Sequence, residues 1–249
     1  MNKTLLILFI SLLLFNVQPN VIKSSQNELD NKLLSDTLIT MLNPYISEEV
    51  AKHYGYYKLY GLYDVEIINL TRESEGSYSF KVTVQVKTFE HAHNSPFGEE
   101  TITFEINPSS VKTINFIHKG DKEEKKVNYF YKEVLSDIQT TFNLNLKSFS
   151  KYNYKQLQYM TEKQKEYQSL LDIVKNIKVN ILNPNIEPPY KNVIDPVTFV
   201  TGNKAFIIFK ISDGTNIIYE VIRKNDLWEV VQKERKKGKK MKNELIWYM

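Results

Sequence analysis

The sequence predicts an α+β fold of two units, each with an N-terminal helix or helices packed on a four-stranded antiparallel meander sheet. Three observations predict it. Apolar residues recur at helical spacing at Leu34, Leu38, Met41 and Leu42, and again at Leu157, Met160, Tyr167, Leu171 and Val174. Tyr78, Phe80, Val82, Val84 and Val86 alternate with polar neighbours, as do Ile102, Phe104 and Ile106, which is the period of half-buried strands. The stretch HKGDKEEKK at 118–126, charged and glycine-containing, separates the two patterns.

The N-terminus has the character of a secretory signal over residues 1–25. Lys3 precedes a thirteen-residue apolar run, Leu5–Val17, interrupted only by Ser11 and Asn16. As a helix that run is about 20 Å long, short of the roughly 30 Å bilayer core. Export to the extracytoplasmic face is therefore expected, and the lack of a small-x-small pair in QPNVIKSSQ leaves an uncleaved N-terminal anchor open. The chain has no cysteine, which excludes a lipidated thiol, a disulfide framework and a thiolate nucleophile. Burial alone must hold the fold, and a hydrophobic content of 42% with 12% aromatics can supply a core.

After the first helical pattern, NPYISEEV restarts the period, with Asn43 suited to a cap and Pro44 to a first turn. One kinked helix or two short ones should end near His53. The tyrosine-rich connection YGYYKLYGLYD leads into four strands divided at ESEGS, HNSPFG and NPSS. In the second unit a helical stretch from about Lys125 to Phe142 precedes a longer helix from about Tyr154 to Asn176. A proline-rich loop follows, and four strands divide at TGN, DG and ND. The segment AFIIFKI is apolar on nearly both faces and should be a central strand.

The motifs LLSDTLITMLNPYI, YGLYDVEI, VTVQVKTFE, AHNSPFGEETITFEI and VKTINFIHK give residues from about 34 to 119 a resemblance to the bacterial domain-of-unknown-function family numbered 3888. The resemblance implies a small exported protein of Gram-positive bacteria and brings no catalytic residues. The second half is similar to a cystatin/NTF2-type domain, closing on DLWEVV with Trp228 in its last strand. The expected organisation is thus a signal at 1–25, a first domain at 26–120 and a second at 121–249 with a basic C-terminal tail.

The tail carries the strongest charge signal. Residues 26–120 hold 8 basic and 13 acidic side chains, whereas 121–249 hold 23 and 16. Most of that second excess lies in KERKKGKKMK: Lys233, Arg235, Lys236, Lys237, Lys239, Lys240 and Lys242 against one glutamate. Export argues against nucleic acid as the partner. An anionic wall polymer, a lipid surface or another envelope protein is expected instead, with Trp247 and Tyr248 adjacent to the charges. The same run is equally explained as a solvated extension of the last strand.

Two further groups are candidates. Tyr56, Tyr57 and Tyr60 could form a ligand-stacking surface or pack between helix and sheet. His91 and His93, spaced His-x-His, could hold a metal with Glu90 or His53, but HNSPFG has the composition of a tight turn, which explains the stretch without one. His118 reads as structural. No metal, cofactor or catalytic residue is expected, since GxSxG, HExxH and phosphate-loop signatures are absent, and Glu99 and Glu100 point to opposite faces of a strand. The sequence therefore reads as an exported, non-enzymatic binding or interaction protein of the cell envelope. The alternative is a small-ligand or hydrolytic pocket inside the second domain.

Overall fold

A computed structural model describes residues 19–91, 94–182, 194–211 and 213–240. The apolar run Leu5–Val17, His93, Lys242, Trp247 and Tyr248 lie outside the described residues, as does the side chain of His91.

The chain is α+β with two antiparallel sheets. The first unit is one long helix, α1 (Pro19–Tyr54), on a sheet of β1 (Leu59–Tyr60), β2 (Glu66–Arg72), β3 (Phe80–His91), β4 (Asn94–Asn107) and β5 (Ser110–Gly120). β1 and β2 follow one another along one edge of β3, on either side of the 3-10 turn Leu62–Asp64, and β4 and β5 complete the meander. Pro44 sits inside α1, which runs on through it. The face that α1 buries is Ile39, Leu42, Ile46 and Val50; of the expected row, Leu42 is in it and Leu38 packs at its edge, whereas Leu34 and Met41 are 68% and 69% exposed. That face meets Val82, Val84, Val86, Ile102 and Phe104.

The HNSPFG stretch is less of a turn than its composition suggests. Asn94 already pairs with His91, and residues 94–98 are strand. The register shifts between Phe89 and His91, so Ser95 and Pro96 lie opposite the single residue Glu90. A bulge beyond the end of β5 is a place where a strand accommodates proline, because no ladder donor is required there.

The second unit has three layers. α2 (Lys122–Phe142) begins two residues after β5, with the Asp121 side chain accepting from the Glu124 N–H as its N-cap. The sheet runs β10 (Leu227–Lys237), β9 (Thr215–Lys224), β8 (Lys204–Lys210), β7 (Val197–Thr201), β6 (Ser150–Tyr152). β8 is its central strand, as its two-sided apolar sequence requires. Ile208, Ile218 and Phe199 pack beneath Phe130, Val134 and Ile138 of α2. Ile207, Phe209 and Val221 pack on the opposite side against α3 (Tyr154–Lys163), α4 (Gln168–Asn176) and the π-helical turn Ile177–Leu182.

The single helix expected over 154–176 is broken at Gln164, whose backbone is extended. The polar run TEKQKEY offers no apolar residue to carry the buried face between Met160 and Tyr167, so continuing the helix there gains nothing. A 3-10 turn at Lys165–Tyr167 restarts it, with the Glu166 carbonyl accepting from the Trp228 indole N–H at 3.0 Å.

Where a basic tail is expected after the last strand, β10 itself continues to Lys237, each residue from Lys233 paired with β9. A bulge at Val231 precedes the basic residues. Beyond it Lys233, Arg235 and Lys237 oppose Tyr219, Ile217 and Thr215, on the α3/α4 face. Lys236 opposes Asn216 on the α2 face, where it lies 5.0 Å from the Phe142 ring.

Candidate functional site

Inward-facing rows of the first sheet change character at one level. On β3 the row Val82, Val84, Val86 continues as Thr88 and Glu90; on β4 the row Phe104, Ile102 continues as Glu100 and Gly98; on β5 Phe116 is followed by His118 and Gly120. The register aligns them, with Val86 opposite Glu100, Glu100 opposite His118, and Gly98 opposite Gly120. The helix-sheet core therefore ends in a polar layer, and the last turn of α1 covers it with His53 and Tyr54.

Glu100 is wholly buried. Its Oε1 accepts from the Tyr54 hydroxyl at 2.7 Å and the Thr88 hydroxyl at 3.0 Å, and its Oε2 lies 2.9 Å from His118 Nδ1. The other ring nitrogen of His118 lies 3.0 Å from Glu124 Oε2, at the start of α2. The two paired glycines make this layer possible. A Cβ on Gly98 would collide with Glu100, Tyr54 and Thr88 together, and one on Gly120 with Glu124. His53 stacks on Phe116 at 5.0 Å and lies 4.7 Å from the His118 ring. Partial desolvation by these rings, reinforced by the neighbouring His118, lowers its pKa.

Beside this layer is a second cluster centred on Glu90. Its carboxylate pairs with Lys58 of the first unit and Lys155 of α3, and accepts from the Tyr56 hydroxyl at 2.7 Å. Burial alone would raise the Glu90 pKa, but the Lys58 charge and the hydrogen bonds from both lysines overcome it and bring the carboxyl down to about 2. Burial drives the Tyr54 and Tyr56 phenols well above the ordinary tyrosine range, so both hydroxyls remain donors.

Both clusters open into a cleft of about 1250 Å³ between the units. α2 and β6 form its far wall, with Tyr131, Lys132, Gln139 and Lys151 among the lining residues. Lys151 is exposed, its pKa lowered only by partial desolvation at the cleft wall, and it meets no opposing charge among the described residues. The cleft lies outside the second unit's sheet, whose two faces are both packed.

The tyrosines expected to act together are dispersed. Tyr56 lines the cleft. Tyr57 is 62% exposed and meets Tyr159 edge-on at 5.2 Å, and Tyr60 joins the first unit's core with its hydroxyl donating to Asn43 Oδ1 at 2.6 Å. Tyr54 belongs to the site in their place. His91 ends β3, and it is His53 and His118 that the fold brings together. Of the basic run, Lys233, Arg235, Lys236, Lys237, Lys239 and Lys240 are all on or just beyond one sheet edge, and all six are exposed.

This geometry defines a two-unit α+β protein with a polar layer at the junction of its units. Over residues 34–119, from within α1 to the end of β5, the chain matches the family described as Protein of unknown function (DUF3888). No curated protein and no solved structure matches the chain.

Proposed function

We propose that the protein is an exported, non-enzymatic binding protein of the bacterial cell envelope, which engages anionic wall polymer or lipid headgroups through β10. The observation that carries this reading is the run Lys233–Lys240, paired into the sheet as edge strand β10 as far as Lys237 and continuing just beyond it, with Glu234 its only acidic member. Lysine on an edge strand also discourages pairing with another chain, so the charges serve the fold as well. Their density is what an anionic partner adds to that role.

The experiment is fractionation of the producing cells followed by co-sedimentation of the full chain with phosphatidylglycerol vesicles and with purified cell wall. Removing residues 233–249 would strip half of β10 from its ladder, so the comparison uses Lys233, Arg235, Lys236 and Lys237 replaced by glutamine. Binding should fall steeply between 0.1 M and 1 M salt, where the screening length drops from about 10 Å to about 3 Å. The quadruple variant should lose most of it, at about 1 kcal/mol per charge near an anionic surface. Recovery of the chain in the cytosol, or equal binding by both proteins, would remove this function.

The inter-unit cleft favours a second reading, a small anionic ligand held near Lys151, which has no ion-pair partner among the described residues. Thermal stabilisation of the full chain by phosphorylated sugars, lost in Lys151→Met, is the expected result under that reading. No stabilisation by such compounds would set it aside.

A further inference from the structure

The polar layer at the end of the first sheet has a hydrogen-bond imbalance. Among the described residues, Glu100 and Glu124 share His118 as their one ionic partner, with one carboxylate oxygen about 3 Å from each ring nitrogen. A neutral imidazole has a single N–H. It can donate to one of these carboxylates and must then present a lone pair to the other. For Glu100, fully buried and, among the described residues, paired with no lysine or arginine, an uncompensated contact of that kind is costly.

A second N–H on His118 or a bound cation would each resolve this, and for a bound cation a third ligand is in place. One donor atom each from His53, Glu100 and His118 lie within 4.8 Å of one another. We propose that His53, Glu100 Oε2 and His118 Nδ1 bind a divalent transition-metal ion, with zinc the best fit, at the rim of the inter-unit cleft. His118 then donates its Nε2–H to Glu124, while Tyr54 and Thr88 hold the second oxygen of Glu100. Such outer partners, one on the far nitrogen of a ligating histidine and others on a ligating carboxylate, orient the ligands of metal sites.

Two nitrogens and one carboxylate oxygen suit a borderline-soft ion better than magnesium or calcium, and three protein ligands leave a fourth position for water or a ligand oxygen. His53 and His118 both line the cleft, so that position opens toward it. Bonds of about 2.0–2.1 Å place tetrahedral donors about 3.3–3.5 Å apart, so Glu100 Oε2 and His118 Nδ1 must open slightly from 2.9 Å while His53 closes on the ion. The exposed one, His53 at the end of α1, is the side chain with room to move. The glycine pair Gly98 and Gly120 leaves the space in which Glu100 and Glu124 sit. This inference goes beyond the envelope-binding reading and does not depend on it.

The test is equilibrium dialysis of the untagged, metal-stripped full chain against Zn²⁺, Co²⁺ and Mg²⁺. One equivalent of Zn²⁺ or Co²⁺ should bind and Mg²⁺ should not, and the Co²⁺ form should show the intense visible absorption of a four-coordinate ion. Glu100→Gln alters a buried group and is a risk to folding. His53→Ala and Glu124→Gln are therefore the deciding variants, each checked for an unchanged circular dichroism spectrum. His53→Ala should abolish stoichiometric binding, and Glu124→Gln should weaken it by about 10–100-fold. Absence of a bound equivalent, or binding that survives His53→Ala and is lost in His91→Ala plus His93→Ala, would overturn the assignment.

Discussion

Replacing Asp137 by alanine is expected to destabilise the protein by about 3–5 kcal/mol, the range found when one partner of a buried ion pair is removed. The partner is Lys210, in the central strand β8 and only 2% exposed. Its ammonium donates to Asp137 Oδ2 at 2.6 Å, to the Lys239 carbonyl at 3.0 Å and to the Gly214 carbonyl at 3.2 Å, which uses all three of its protons. Burial works against an ionised Asp137, but hydrogen bonds from Lys210, Asn216 and the Lys239 N–H outweigh it and hold the carboxyl below the ordinary aspartate range. Removing the carboxylate leaves a buried ammonium facing two carbonyls. It also removes an acceptor from the Asn216 side chain, which keeps its bond to Thr141, and frees the Lys239 N–H from α2.

Chemical denaturation at neutral pH measures the loss, and the double variant Asp137→Leu plus Lys210→Met is the control. Removing both charges should recover most of the stability, because the cost of the single variant lies largely in the stranded charge. A loss below about 1 kcal/mol for Asp137→Ala would mean that water reaches Lys210.

This network also explains Gly238 inside the basic run, where a Cβ would collide with Asn216 and Asp137. The run was legible as charge but not as strand. Lysine and arginine are weak strand formers, and the pairing is dictated by β9, whose residues Ile217 and Tyr219 are fixed by the core. Alternation alone placed the inner strands of the first sheet and the central position of β8, because burial on one or both faces writes directly into residue order. The break at Gln164 could have been read from the absence of apolar residues between Met160 and Tyr167.

The candidate site was legible only in part. Glu100 occupies the same phase as Ile102 and Phe104, and a carboxylate in a buried phase is a signal in itself. Comparing it with its neighbour Glu99, on the opposite face, hides that signal. What residue order cannot supply is register: Glu100 meets His118 eighteen positions away across the β4–β5 ladder, and Tyr54 reaches both only because α1 ends above that level. A His-x-His spacing is visible without any register, which is why the eye falls on His91 and His93 first.

Glu90→Gln is expected to lower stability by about 3 kcal/mol at pH 7 and by almost nothing near pH 2. The carboxyl pKa falls from its ordinary value of 4.5 to about 2 in the folded chain, and each tenfold change in proton affinity corresponds to about 1.4 kcal/mol. Because the folded value is the depressed one, the contribution is complete above 4.5 and is lost as the pH falls through the window down to about 2. Groups common to both proteins titrate in both, so the difference between their stability curves isolates Glu90. Glutamine keeps the shape of the side chain and can still accept from Tyr56, but it leaves Lys58, whose side chain is 5% exposed, without a counter-charge. Burial already pulls the Lys58 pKa down against the attraction of Glu90, so its ammonium depends on that carboxylate. Lys155 brings the second unit into the same pair, next to the Gln156 side chain that donates to the Tyr54 carbonyl at 2.8 Å. Loss of Glu90 should therefore loosen the junction as well as the first unit, and amide exchange in α3 should quicken at neutral pH. Stability curves of the two proteins that run parallel from pH 7 to pH 2 would show that Glu90 carries no buried charge and that the units are joined by other contacts.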